Sequence, residues 1–125
     1  MNTYTVQRLH AREILDSRGR PTVWAECRLQ SGATAAVSVP SGASTGRAEA
    51  CELRDGDPRR YRGLGCRVAA ANVSTAINAA VQGREFATQA AFDRALVELD
   101  GTPNLARLGA NAALAASLAF ARAGA

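Results

Sequence analysis

Residues Thr22 to Gln30 alternate strictly, and this stretch limits the possible folds more than any other. Val23, Ala25, Cys27 and Leu29 share one parity; Trp24, Glu26, Arg28 and Gln30 share the other. A two-residue period marks a strand with one face on a core and one toward water. Turn compositions flank it, Asp16-Ser17-Arg18-Gly19-Arg20-Pro21 before and Ser31-Gly32 after. Residues 4 to 15 form an earlier strand in which Tyr4 and Val6 share one parity and Leu9 and Ala11 the other, so a bulge is expected near Gln7 and Arg8. Ala33 to Val39 form a third strand with Val37 and Val39 inward, ended by Pro40, which has no N–H for a ladder. Three strands in sequence with short links make an antiparallel meander. Trp24 stands on the polar parity. Two readings are open: it marks a contact surface, or it covers a neighbouring strand.

The second half of the chain is helical in pattern. A short helical segment is expected over Arg47 to Arg54, broken by Asp55-Gly56-Asp57-Pro58. That turn lacks the spaced carboxylates and terminal Glu of a calcium loop. Three helices follow. The first spans about Cys66 to Gln82 and carries Ala69, Val73, Ala76, Ile77, Ala80 and Val81 at helical spacing, with Gly83 as its stop. The second spans about Thr88 to Leu99, with Thr88 as cap and Phe92, Ala95, Leu96 and Leu99 as its stripe. The last begins near Gly109, and Asn111, Ser117 and Arg122 are nearly its only polar positions. The fold class is therefore α+β. A helix apolar almost all round calls for cover on several sides, which a small sheet and two helices are not expected to supply. The chain thus reads as one domain, residues 1–125, of an interrupted protein.

Composition narrows the chemistry. With 125 residues and a 47% hydrophobic fraction the chain is long and apolar enough for a modest core. All 15 basic residues are Arg, so a lysine base or Schiff base is excluded within this chain. The net charge of +4 is spread from Arg8 to Arg122, which fits a solvated surface and gives no specific nucleic-acid footprint. Cys27, Cys51 and Cys66 form no metal cluster with the single His10, and reduced thiols in a cytoplasmic protein fit best. No signal segment or membrane span is expected.

Between the meander and the helices lies Val39-Pro40-Ser41-Gly42-Ala43-Ser44-Thr45-Gly46. Gly42 and Gly46 permit backbone angles closed to other residues, and three hydroxyls can meet an anion, a metal or a backbone group. Composition leaves two readings, a loop that closes over a ligand or a plain strand-to-helix connection. The loop lacks the Gly-Lys of a phosphate-cradling P-loop, and the strands are not parallel, so a nucleotide-binding domain is a poor fit.

Five blocks in order carry a resemblance: Ala11-Arg12-Glu13-Ile14-Leu15-Asp16-Ser17-Arg18-Gly19, Val39 to Gly46, Glu49 to Asp57, Leu99-Asp100-Gly101-Thr102, and Leu108-Gly109-Ala110-Asn111-Ala112. Over essentially its whole length the chain resembles the N-terminal domain of enolase (phosphopyruvate hydratase). The resemblance implies a three-stranded meander followed by helices, packed on a β/α barrel that this chain lacks. It implies reversible dehydration of 2-phosphoglycerate to phosphoenolpyruvate with Mg²⁺, the base and the proton donor lying in the barrel. No catalytic residue is then expected in this chain. Its part is a lid, Ser41, Gly42, Ala43, Ser44, Thr45 and Gly46. The resemblance gives Ser44 to a second Mg²⁺ through its hydroxyl and carbonyl oxygens, brings Gly42 and Ala43 close to the substrate, and makes Gly46 a hinge. It places Arg12, Arg18 and Trp24 near a homodimer contact; for the two arginines, local ion pairs with Glu13 or Asp16 are the alternative. The chain departs from the family pattern at Arg20, Trp24, Leu64 and Leu105-Ala106-Arg107. Trp24 stands where an acidic residue is usual, which puts the usual dimer salt bridge in doubt. The competing expectation is a free-standing, truncated interaction module without catalysis.

Overall fold

The computed structural model describes residues 4–39 and 52–125. Strand β1 (Tyr4–Leu15) pairs antiparallel with β2 (Pro21–Leu29), and β2 with β3 (Thr34–Ser38). A two-residue strand β4 (Glu85–Phe86) adds to the other side of β1, giving the order β3-β2-β1-β4. The meander is thus extended by one short strand. Two residues cannot show a period, so this pairing leaves no trace in the sequence pattern. The β1 register shifts between Val6 and Arg8, where the parity change placed a bulge.

Strand alternation sorts the two sheet faces. Val23, Ala25, Cys27 and Leu29 are buried, while Arg28 and Gln30 are exposed and Trp24 and Glu26 half-buried. Burial pushes the Cys27 thiol up to about 12, so it stays protonated and unreactive at neutral pH. Helices cover the inner face. The first is continuous through α1 (Arg67–Asn72), a π turn (Val73–Ile77) and α2 (Asn78–Val81). Its side chains close the free edge of β1: Leu9 N–H donates to Asn78 Oδ1 at 2.8 Å and Ala11 N–H to Ser74 Oγ at 2.9 Å. An edge strand left bare would invite pairing with another chain.

Helix α3 (Gln89–Asp100) starts at Thr88, whose hydroxyl accepts from Ala91 N–H at 3.0 Å. Helix α4 (Ala110–Ala123) packs on β2 and β3 and against α1 and α3. The expectation that α4 lacks cover does not hold for most of its surface, because Ala112, Ala113, Ala115, Ala116 and Ala119 let neighbouring elements approach closely. Leu114 and Leu118 remain exposed; Leu114 also lines an apolar groove of about 310 Å³ with Leu96, Val97 and Leu105. All three phenylalanines meet in one cluster: Phe92 stacks on Phe120 at 4.2 Å, and Phe86 stands edge-on to both. Glu52, Leu53 and Arg54 are not helical, so the segment expected over Arg47 to Arg54 does not reach its end. The rest of that segment, and the loop Ser41 to Gly46, lie outside the described residues.

Candidate functional site

Both described flanks of residues 40–51 are fastened at the start of β2. Val39 N–H donates to Val23 O at 3.0 Å, and the Thr22 hydroxyl donates to Val39 O. On the returning side, Arg54 Nη1 donates to Pro21 O at 2.8 Å, to Leu64 O at 2.9 Å and to the Cys66 Sγ at 2.9 Å. Leu53 is held on both backbone groups by one side chain. Its N–H donates to Asn111 Oδ1 at 3.0 Å, and its carbonyl accepts from Asn111 Nδ2 at 3.0 Å. Asn111 is buried in the first turn of α4, where a single amide can satisfy both groups. The chain therefore leaves the sheet and returns to it within one fixed frame.

A second knot supports that frame. Glu13 takes both Arg60 guanidinium nitrogens, the Nη1 contact at 2.9 Å, and accepts from Cys66 N–H at 2.6 Å. The Arg60 hydrogen bonds hold the Glu13 carboxyl below its ordinary value, outweighing partial burial that acts the other way. Asp55 caps the start of α1, accepting from Arg67 N–H at 3.0 Å and Val68 N–H at 2.9 Å. Gly65 fits between them because a Cβ there would stand 2.6 Å from Asp55 Oδ2. Asp100 closes the loop before α4 in the same manner. Burial works against its charge, yet bonds from the Thr102 hydroxyl, Leu108 N–H at 2.7 Å and Thr102 N–H at 2.9 Å leave its carboxyl lowered. These carboxylates fall within the sequence blocks that carried the resemblance, and here they shape the scaffold.

The Glu13 and Asp100 carboxyls set an acid limb. A lowered folded pKa means stability that is complete above the unfolded value, near 4.5 for Glu13, and lost as pH falls through the folded value. Urea midpoints measured at pH 7 and pH 3.5 should differ less for Glu13→Gln than for the parent chain. An unchanged pH difference would remove Glu13 from this account.

The open face of the sheet carries Arg12 and Trp24. Arg12 lies opposite Trp24, its guanidinium 4.4 Å from the ring centroid, and His10 meets the same indole edge-on at 5.5 Å. Trp24 is thus used within the sheet, covering its cross-strand neighbours. Glu13 pairs with Arg60, so the local pair considered for Arg12 and Glu13 gives way to the Arg12 stack on Trp24. Arg18 sits in the turn after β1, where Asp16 Oδ1 accepts from Arg18 N–H at 2.8 Å and Arg20 N–H at 2.9 Å. The structure brings Arg12 and Trp24 together and leaves Arg18 in that separate turn. The sequence reading missed Asn111 and Arg54 as anchors, although Asn111 was visible as one of the few polar positions on an apolar helix. Among the described residues no group of three or more His, Cys, Asp or Glu could hold a metal ion. No described helix is long and apolar enough to cross a membrane.

The enolases of Legionella pneumophila strain Lens and of L. pneumophila subsp. pneumophila strain Philadelphia 1 are each 54% identical over 118 residues, covering 94% of this chain. The chain spans 28% of the length of those relatives. The family model for the N-terminal domain of enolase matches residues 6–125. The chain belongs to the enolase N-terminal domain family.

Proposed function

We propose that this chain is the lid-bearing N-terminal part of an enolase, a phosphopyruvate hydratase that interconverts 2-phosphoglycerate and phosphoenolpyruvate in the cytoplasm. The observation that carries this reading is the frame around residues 40–51, with Val39 tied to Val23 and Thr22, and Leu53 and Arg54 tied to Asn111 and Pro21. A loop that must reach a ligand and return needs fixed roots, and rigid elements supply them. Removing a proton beside a carboxylate builds charge that water alone stabilises poorly, so closure and positive charge both lower the barrier. Mg²⁺ supplies that charge when bound. The hydroxyl and backbone oxygen of Ser44 are hard donors of the kind Mg²⁺ takes. Gly42 and Ala43 would bring backbone close to the substrate, and Gly46 would absorb the change of backbone angle. Arg12, Arg18 and Trp24 face a second copy in a homodimer.

The base, the proton donor and the other metal ligands are then supplied by the barrel. The purified 125-residue chain should therefore show no turnover of 2-phosphoglycerate at any Mg²⁺ concentration. A continuous protein containing it should turn over. Activity that co-purifies with this chain and survives removal of host enolase would sink the reading.

A further inference from the structure

Strands β1 and β2 pair three residues of each across the open face: Arg12 with Trp24, His10 with Glu26, and Arg8 with Arg28. The first two rungs are satisfied within the chain, by the cation stacked on the indole at 4.4 Å and by His10 Nδ1 3.7 Å from Glu26 Oε1. The third is mismatched. Like charges directly opposite each other destabilise a strand pair. Both arginines are exposed, and no acidic side chain among the described residues forms an ion pair with either.

The mismatch sits beside a depression of about 350 Å³ lined by Gln7, Arg8, His10, Glu26, Arg28 and Gln82. The β1 bulge between Val6 and Arg8 is next to it, and Gln82 Nε2 secures the rim by donating to Gln7 O at 3.1 Å. We propose that Arg8 and Arg28 form a binding site for a small phosphate-bearing anion seated in this depression. Each guanidinium presents a planar fork of donors, and a tetrahedral phosphate offers oxygens to both forks at once. The anion would convert a repulsive rung into a bridged one. Glu26 lines the same depression, so an extended polyanion meets repulsion there, which favours one phosphoryl group over a nucleic-acid backbone. The rung lies four residues along β1 from Arg12, about 13 Å at the rise of a strand. His10 lines the depression and also meets Trp24, so the depression adjoins the aromatic end of the face.

The test is a titration of the ¹⁵N-labelled chain with inorganic phosphate, against sodium chloride of matched ionic strength. Saturable shifts should appear at Gln7, Arg8, Arg28 and Gln82. Arg28→Gln and Arg8→Gln should each weaken binding at least about tenfold, the loss of one charge-assisted fork. Both variants relieve repulsion, so without phosphate at low salt they should melt no lower than the parent. Phosphate should raise the melting temperature of the parent by more than that of either variant. Glu26→Gln should tighten binding. A parallel titration with glycerol phosphate separates the sources. Equal binding assigns the site to the phosphoryl group alone, and tighter binding adds recognition of the organic part. Shifts that grow linearly, spread over all arginines and persist in both variants would overturn the site.

Discussion

Replacing Gly109 with Ala should destabilise the fold by about 3–5 kcal/mol, the sum of a backbone penalty and an overpacking penalty. Gly109 has φ +96° and ψ 132°, a region that residues with a Cβ scarcely enter. A Cβ built there stands 2.5 Å from the Leu53 Cβ and 2.8 Å from Asn111 Oδ1. Neither neighbour can give way freely, because Asn111 holds both backbone groups of Leu53 and α4 begins at this point. Gly101 separates the two contributions. It is also left-handed, at φ +74°, but a Cβ there meets nothing within 4 Å. Gly101→Ala should therefore lose only about 1 kcal/mol, the backbone penalty alone. Urea unfolding of both variants decides the matter. If Gly109→Ala is no less stable than Gly101→Ala, Leu53 is not gripped as described. The consequence reaches the candidate site, since Leu53 is the returning root of residues 40–51.

The elements most legible in the sequence were those with a period and a stop. The β2 alternation, the bulge after Val6, the Thr88 cap and the glycine stops after the helices all act over a few residues. What stayed hidden acts over long separations. The Asn111 grip on Leu53 spans 58 positions, the Arg60 pair with Glu13 spans 47, and the Asn78 cover of Leu9 spans 69. No local propensity encodes such contacts, and β4 is too short to carry a pattern. The last helix was misjudged for a different reason. Its apolar character implied a large surface to cover, but a run of alanines has little side-chain volume and packs directly on β2 and β3. The lid proposed for Ser41 to Gly46 rests on the block resemblance alone, for a Gly-Ser-Thr stretch has the composition of any connection. The same limit applied to Trp24. Its parity left two roles open, and only the cross-strand partners Arg12 and His10 show what it covers.

The second large effect concerns Ser44 in a continuous protein that carries this chain together with its barrel. Ser44→Ala should lower kcat on the order of a hundredfold, the scale on which loss of a metal-directed group acts. The substitution removes one oxygen donor and leaves the backbone carbonyl in place, so the second Mg²⁺ should bind more weakly without vanishing from the cycle. The Mg²⁺ concentration needed for half-maximal rate should therefore rise along with the fall in kcat. Ser44→Thr keeps the hydroxyl and should recover part of the rate, which a purely steric role would not produce. Ser38→Ala serves as the reference: it removes an exposed hydroxyl on β3, short of the loop, and should leave kinetics within about twofold, as surface substitutions do. Thermal midpoints should match across all three variants, because Val39, Leu53 and Arg54 are held by partners outside the loop. That independence of roots and tip makes the experiment informative. A drop in kcat with unchanged Mg²⁺ dependence would assign Ser44 to closure rather than to the metal. Unchanged kinetics would remove the lid assignment altogether.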